Sequence, residues 1–334
     1  MPDLFFLTNP TMLNRRQLIQ TATLSALPLA PVWAQSFPSK PLKIIVPFGA
    51  GGVADLTARA VAQKLSESLG QPVVIDNRPS AGGIVAGELV AKAEPDGYTL
   101  LLMSNGTAVS AGLFKSLPFN PRSDFAPVSL LGLFDMAVVV PENSPFKTLS
   151  DLIGFGRANP GKLNIGTINI GSTQHLAAEL LRSQANWVAQ VIPYNGTPAV
   201  INALRGGQVD AAVEILGPMK PQINAKAVRL LGVMGENRPK DLPQTSTVRE
   251  LPGLSDFNVS SWNALAAPAK TPKAVVERLS HELAKILAQP EMVQRLAGFN
   301  VQAKASTPAQ LAQLLDSDIK RWSDVIAKAG LTPQ

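Results

Sequence analysis

An apolar, β-branched run at Leu42–Val46 stops at Pro47. After a glycine-rich stretch at 48–52, the apolar residues Ala54, Ala58, Val61, Leu65 and Leu69 follow. Their spacings of 4, 3, 4 and 4 trace one helix face, so the segment predicts strand, loop and helix. The alternation continues with a helix over 54–69, a strand over 72–76, a helix over 84–92 and a strand over 99–103. This order predicts a parallel sheet covered by helices on both faces. Apolar runs at 126–133 and 136–140 come next, separated only by Phe134 and Asp135. Two strands so closely joined predict a crossing from one domain to another.

A second α/β series begins at Thr148, which caps a helix through Ala158 with Asp151 at its third position. The pattern then predicts a strand at 162–166, a helix at Thr173–Gln184, a strand at 190–193 and a helix at 198–205. Strands at 209–213 and 228–234 flank a short helix near 218–225, and 258–267 reads as a return crossing. Thr271-Pro272 opens a helix with a threonine cap and proline at its first position. Thr307 to Gln310 repeats that start as a capping box, and Leu311, Leu315, Ile319, Trp322 and Ile326 make the buried stripe behind it. No internal repeat is visible. Two crossings predict an α/β protein of two lobes with a cleft between them, lobe I spanning 36–135 plus 265–334 and lobe II 136–264.

Composition changes the compartment rather than the fold. Arg15 and Arg16 precede a mildly apolar stretch at 18–34 that Pro28 and Pro31 interrupt, too short to span a bilayer. Val32-Trp33-Ala34 ends it with a small-residue cleavage pattern, so 1–34 reads as a signal peptide. Either an ordinary secretory signal or a twin-arginine signal fits it, and either Met1 or Met12 fits as the start. There is no cysteine, hence no disulfide and no thiol nucleophile. The formal net charge of +6 is scattered among few aromatics, which argues against a nucleic-acid surface. The expectation is an exported, soluble, monomeric protein of the periplasm.

Candidate chemistry gathers where strands end. The stretches at 48–52, 104–107, 169–173 and 194–197 each follow a strand, and most precede a helix whose N-terminus can hold an anion. Gly49-Ala50-Gly51-Gly52-Val53-Ala54 also matches a dinucleotide fingerprint, with Asp76 ending the next strand. Against that reading, Pro47 and Phe48 intervene after the strand, and Asp55 would repel a pyrophosphate. Asp55 is read either as a helix-dipole carboxylate paired with Arg59 or as a ligand residue. Ser172 and His175 allow a hydrolase pair, but no orienting acid is evident, and Ser172 and Thr173 read better as caps or anion donors. His175 and His281 are the only histidines, so no metal site and no cofactor are expected. Asp210 reads as a turn residue or a ligand contact. Trp262 is a candidate for the cleft, Trp322 for the core.

Taken in order, FPSKPLKIIVPFGAGGVADLTAR, VVIDNRPSAGG, EPDGYTLLL, NPRSDFAPVSLL, NPGKLNIGT, GSTQHLAAELL, IPYNGTPAVINALRGGQVD and PAKTPKAVVERL cover essentially the whole mature chain. The set resembles the extracytoplasmic receptors of tripartite tricarboxylate transporters, the Bug receptor family. The resemblance implies a type II periplasmic-binding-protein fold and capture of a small carboxylated solute. Delivery to separate membrane permease subunits is implied as well. It also implies a carboxylate held by backbone amides, hydroxyls and ordered water, not by an arginine clamp. Carried over, the contacts are Phe48, Gly49, Ala50, Gly51 and Gly52 with Asp55 behind them. Further contacts are Ser104, Asn105 and Thr107; Gly171, Ser172 and Thr173; Tyr194, Asn195, Gly196 and Thr197; and Asp210. The chain departs from the family's usual small or hydroxyl residues at Ile168 and Ile170, from a common lysine at Asn195, and from a common Asp-Asn pair at Glu214-Ile215. These departures imply a cleft with more apolar lining.

Overall fold

The computed structural model describes residues 37–239, 241–328 and 333. The signal-peptide reading, with Arg15 and Arg16, lies outside the described residues. Among those described, no helix is long and apolar enough to cross a membrane.

Strand β1 (Leu42–Val46) leads through the glycine stretch into α1 (Val53–Leu69), then β2 (Val73–Asn77), α2 (Ile84–Ala91) and β3 (Thr99–Ser104). Helix α3 (Asn105–Leu113) follows with no loop, where the sequence pattern suggested one at 104–107. Ser104 explains the difference: its Oγ accepts the Gly106 amide at 3.1 Å, while its own amide donates to Thr107 Oγ1 at 3.2 Å. That reciprocal cap lets the helix start on the last strand residue.

Strand β4 (Phe125–Pro141) is one continuous strand where the apolar pattern read as two. After it come α4 (Leu149–Ala158), β5 (Leu163–Ile168), α5 (Thr173–Gln184), β6 (Ala189–Tyr194) and α6 (Thr197–Arg205). Then follow β7 (Ala211–Ile215), α7 (Leu216–Asn224), β8 (Val228–Val233) and β9 (Ser260–Pro268). Phe134 and Asp135 do not break β4 because they pair in register with Ser261 and Ser260 of β9. The N-terminal part of β4 thus lies beside β9, while Met136 to Pro141 pair with β7 and β8.

The first sheet therefore has the order β2-β1-β3-β9-β4, the second β6-β5-β7-β4-β8. In each, three parallel strands are followed by an antiparallel one, and β4 belongs to both. This is an α/β protein of two lobes joined by crossing segments, the type II periplasmic-binding-protein fold.

The chain ends with α8 (Lys273–Leu287), α9 (Pro290–Gly298), β10 (Gln302–Ala303) and α10 (Pro308–Lys328). The cap expected at Thr271 does not form. Pro272 sits at the cap position with φ −54° and ψ 136°, the helix starts one residue later, and Thr271 Oγ1 is buried without a partner among the described residues. The capping box at Thr307 does form, with Gln310 and Thr307 bonded both ways at 2.9 and 3.2 Å. Leu311, Leu315, Ile319, Trp322 and Ile326 of α10 are all buried. The Trp322 indole donates to Asn105 Oδ1 and the Trp262 indole to Asp318 Oδ2, each at 2.6 Å. Both tryptophans are core residues, so Trp262 does not line the cleft.

Candidate functional site

Four helix starts converge between the lobes: α1 and α3 from the first, α5 and α6 from the second. Ser104 caps α3, and Ser172 caps α5 by accepting the His175 amide at 3.1 Å. Helices α1 and α6 begin at Gly52 and Gly196 without any side-chain cap. In α1 the amides of Val53 and Ala54 are left for another acceptor; in α6 Pro198 has no N–H and the Ala199 amide donates to the Gly196 carbonyl at 3.1 Å, so the Thr197 amide alone is left.

The lobes are in contact at this point. The Gly82 amide donates to the Ile170 carbonyl at 2.8 Å, and Asn169 Nδ2 donates to the Ser80 carbonyl at 3.3 Å. Within the second lobe, the Thr173 hydroxyl meets that of Ser261 on the crossing strand β9 at 3.0 Å. Two glycines make the approach possible. A Cβ at Gly49 would stand 2.8 Å from the Asn195 carbonyl oxygen. At Gly171, where φ is +82°, a Cβ would stand 3.0 Å from the Gly82 Cα.

Two adjoining cavities remain, and Phe48 and Ser104 border both. The first is lined by Ser80, Gly82, Gly83, Gly106, Thr107, Phe119, Asn169, Ile170, Gly171 and Ser172, among others. The second is lined by Gly49, Gly52, Val53, Ala54, Phe134, Ile168, Thr173, Gln174, Gly196, Thr197, Ile215, Ser261 and Asn263. Their volumes, about 10 and 20 Å³, reflect how tightly the lobes meet.

Most of the residues singled out from the sequence are brought together here: Phe48, Gly49, Gly52, Ser104, Thr107, Ile168, Gly171, Ser172, Thr173, Gly196 and Thr197. Others stand behind the walls or at the rim. Ala50, Gly51 and Asn195 are exposed, and Tyr194 packs against the apolar core of the second lobe. Asn105 turns its side chain toward Trp322. The Asp210 carboxylate accepts the Asn164 amide at 2.8 Å, bracing the entry to β7 against β5.

Asp55 is buried and accepts the Gly51 amide at 3.0 Å, Asn77 Nδ2 at 3.0 Å and Arg59 Nε at 2.9 Å. Burial alone would raise its pKa, but the bonds from Arg59, Gly51 and Asn77 hold it below the usual value. It thus fixes the glycine loop from behind.

Glu214 also lies behind the wall, fully buried. Its Oε2 accepts the Ile215 amide at 2.7 Å and Gln174 Nε2 at 3.2 Å. Burial pushes it up to about 7, with the Ile215 amide, Thr197 and Gln174 pulling the other way. Ser172 Oγ donates to the Ile168 carbonyl at 3.2 Å, so its contact with His175 is a helix cap, not a hydroxyl–imidazole pair. Burial lowers the His175 pKa.

Phe134, Gln174, Ser261 and Asn263 escaped the sequence reading. For Asn263 a signal existed: it is the one amide in the otherwise apolar run of β9.

A two-lobed α/β fold with uncapped helix starts facing across a closed cleft defines a solute-binding protein. The match to a model of the tripartite tricarboxylate transporter family receptor covers residues 57–331, and the chain belongs to that family. It is 38% identical over 293 residues to a Pseudomonas sp. protein encoded in the tcbD-tcbE intergenic region, covering 88% of this chain and 87% of that one. It superposes on the periplasmic binding protein BugD with a TM-score of 0.85 at 30% identity, covering 89% of this chain and all of BugD. Rpa4515 of R. palustris, solved with adipate, gives 0.86 at 30% identity over 89% of this chain and all of that one.

Proposed function

We propose that this chain is a periplasmic receptor, not an enzyme, that captures a small carboxylate and hands it to the permease of a tripartite tricarboxylate transporter. The observation that carries the reading is the pair of uncapped helix starts, Gly52 of α1 and Gly196 of α6, facing one cavity from opposite lobes. A carboxylate there accepts the first free N–H groups of α1 and the Thr197 N–H of α6, and gains from both dipoles. Charge-assisted hydrogen bonds of this kind contribute roughly 1.5–3 kcal/mol each.

The rest of the second cavity favours an apolar body: Phe48, Phe134, Ile168 and Ile215 line it. Three carboxylates against such walls would leave charges poorly solvated. The solute is accordingly a mono- or dicarboxylate with an aliphatic or aromatic body, and adipate in Rpa4515 is consistent with that class. Ligand enters when the lobes separate about the crossing segments, lobe I being 36–135 with 265–334 and lobe II 136–264.

Calorimetry with hexanoate, benzoate, adipate and citrate tests the reading. Binding of at least one of the first three, weakened about tenfold or more by Thr197→Val, is the expected result. If none of the four binds, or citrate alone does, the reading is wrong.

A further inference from the structure

A further contact joins the lobes away from both cavities, between α7 and the end of α9. Leu216 and Met219 of α7 pack in cores built around Ala137, Val139, Val228 and Val233, so this helix travels with the second lobe. The end of α9 travels with the first. Just after it, β10 pairs Gln302 with Leu133 and Ala303 with Gly132 on the N-terminal part of β4.

Two interactions bridge the gap. Gly217 of α7 is buried, and a Cβ there would stand 1.7 Å from the Phe299 carbonyl oxygen and 2.5 Å from its carbonyl carbon. Nothing larger than hydrogen fits unless backbone moves. Three residues on, Lys220 Nζ donates to Asn300 Oδ1 at 2.8 Å. Both partners are held ready for this bond. Asn300 stands at φ +57° in the turn that ends α9, where its amide meets the Ala297 carbonyl and the Val301 amide meets the Leu296 carbonyl, each at 2.9 Å. The Lys220 ammonium is already steadied by Asp241 at 2.5 Å, from the segment after β8. None of Gly217, Lys220, Phe299 and Asn300 lines either cavity.

We propose that this contact is a closure latch, made only when the lobes meet, through which Gly217, Lys220, Phe299 and Asn300 set solute affinity without touching the solute. It rests on the receptor reading above and adds the residues that tune it. A solute that binds the closed form has an apparent affinity scaled by the fraction of protein able to close. Because Asp241 and the α9 turn place the two bonding groups beforehand, closing the latch orders little that was free. Gly217 keeps the seat clear. A methyl group there meets backbone in the closed form, whereas in the open form alanine suits a helix better than glycine does.

Spin labels at Ser183→Cys and Ser317→Cys read the separation of the lobes. These exposed positions line the groove between α5 and α10, and the chain has no cysteine of its own. Distances are measured by electron paramagnetic resonance with and without adipate, and adipate affinity by calorimetry on unlabelled protein. In the wild type adipate should shorten the distance. Gly217→Ala should weaken adipate binding about tenfold or more. Asn300→Gly, which keeps the positive φ and removes the acceptor, should weaken it about three- to tenfold. Both variants should shift the labels to longer distances and melt near the wild type without adipate.

Wild-type affinity and distances in both variants would overturn the latch. So would a Gly217→Ala protein that fails to fold, or that melts far lower with distances unchanged, since the contact would then persist with the lobes apart. If adipate does not bind the wild type, that result counts against the solute class, and the distances without adipate decide the latch. Longer distances in both variants uphold it; variants matching the wild type, or a single long distance throughout, overturn it.

Discussion

Single side chains in this cleft divide into those that touch the cavities and those that hold the touching residues in place. Asp55 and Asp210 carry charge near the site, yet both are spent on backbone amides and neighbours. Glu214 is different, because burial raises its pKa to about 7 from an ordinary 4.5. A carboxyl raised in the folded state favours folding fully below its unfolded pKa. That contribution is lost as pH rises through the folded value, here between about 4.5 and 7. The loss is on the order of 3 kcal/mol. Glu214→Gln should therefore melt higher than the parent at pH 8, with the gap closing at pH 5. Equal melting temperatures at pH 8 would show that Glu214 ionises freely in the folded protein. At this scale the sequence was informative about glycines and hydroxyls next to strand ends, because those residue types carry a local conformational meaning. It was silent on Phe134, Gln174 and Ser261, which reach the cleft only through the way the lobes are joined.

Helices and strands were the most legible level. The strand at Leu42–Val46 and the helix at Thr173–Gln184 begin and end where the apolar spacing places them. The boxes at Thr148 and Thr307 form from the residues that signalled them. Thr271 shows the limit of such signals, since the same Thr-Pro pair that starts α10 fails to cap α8. The two sites should respond oppositely to loss of the hydroxyl. Thr307→Ala should cost about 1 kcal/mol in denaturant unfolding, as capping residues do. Thr271→Val should cost nothing or stabilise slightly, because it removes a buried hydroxyl that has no partner. A loss at Thr271 as large as at Thr307 would mean that its hydroxyl is satisfied in solution. Strand β7 begins two residues later than the apolar run suggested, because Asp210 acts as a brace to Asn164 before the ladder starts.

For the whole molecule, the sequence shows no repeat, yet the two sheets run in matching order. Such correspondence resides in pairing, which many sequences satisfy, so it leaves no residue signature. The closed cleft has cavities far smaller than a six-carbon acid, so ligand exchange requires the lobes to part. Small-angle scattering should show a larger radius of gyration without ligand than with a saturating one. An identical radius in both conditions would place exchange in local loop motion instead.

Because β4 supplies a strand to each sheet, neither lobe has a complete set of strands of its own. A gene fragment ending at Asp135 would leave the second lobe without its strand between β7 and β8. One extended to Pro141 would carry that strand away from its partners. Relatives in this family are therefore poor donors of single lobes to one another. Chimeras that exchange only stretches such as those after β1 and β5 leave uncut the strand on which both halves depend.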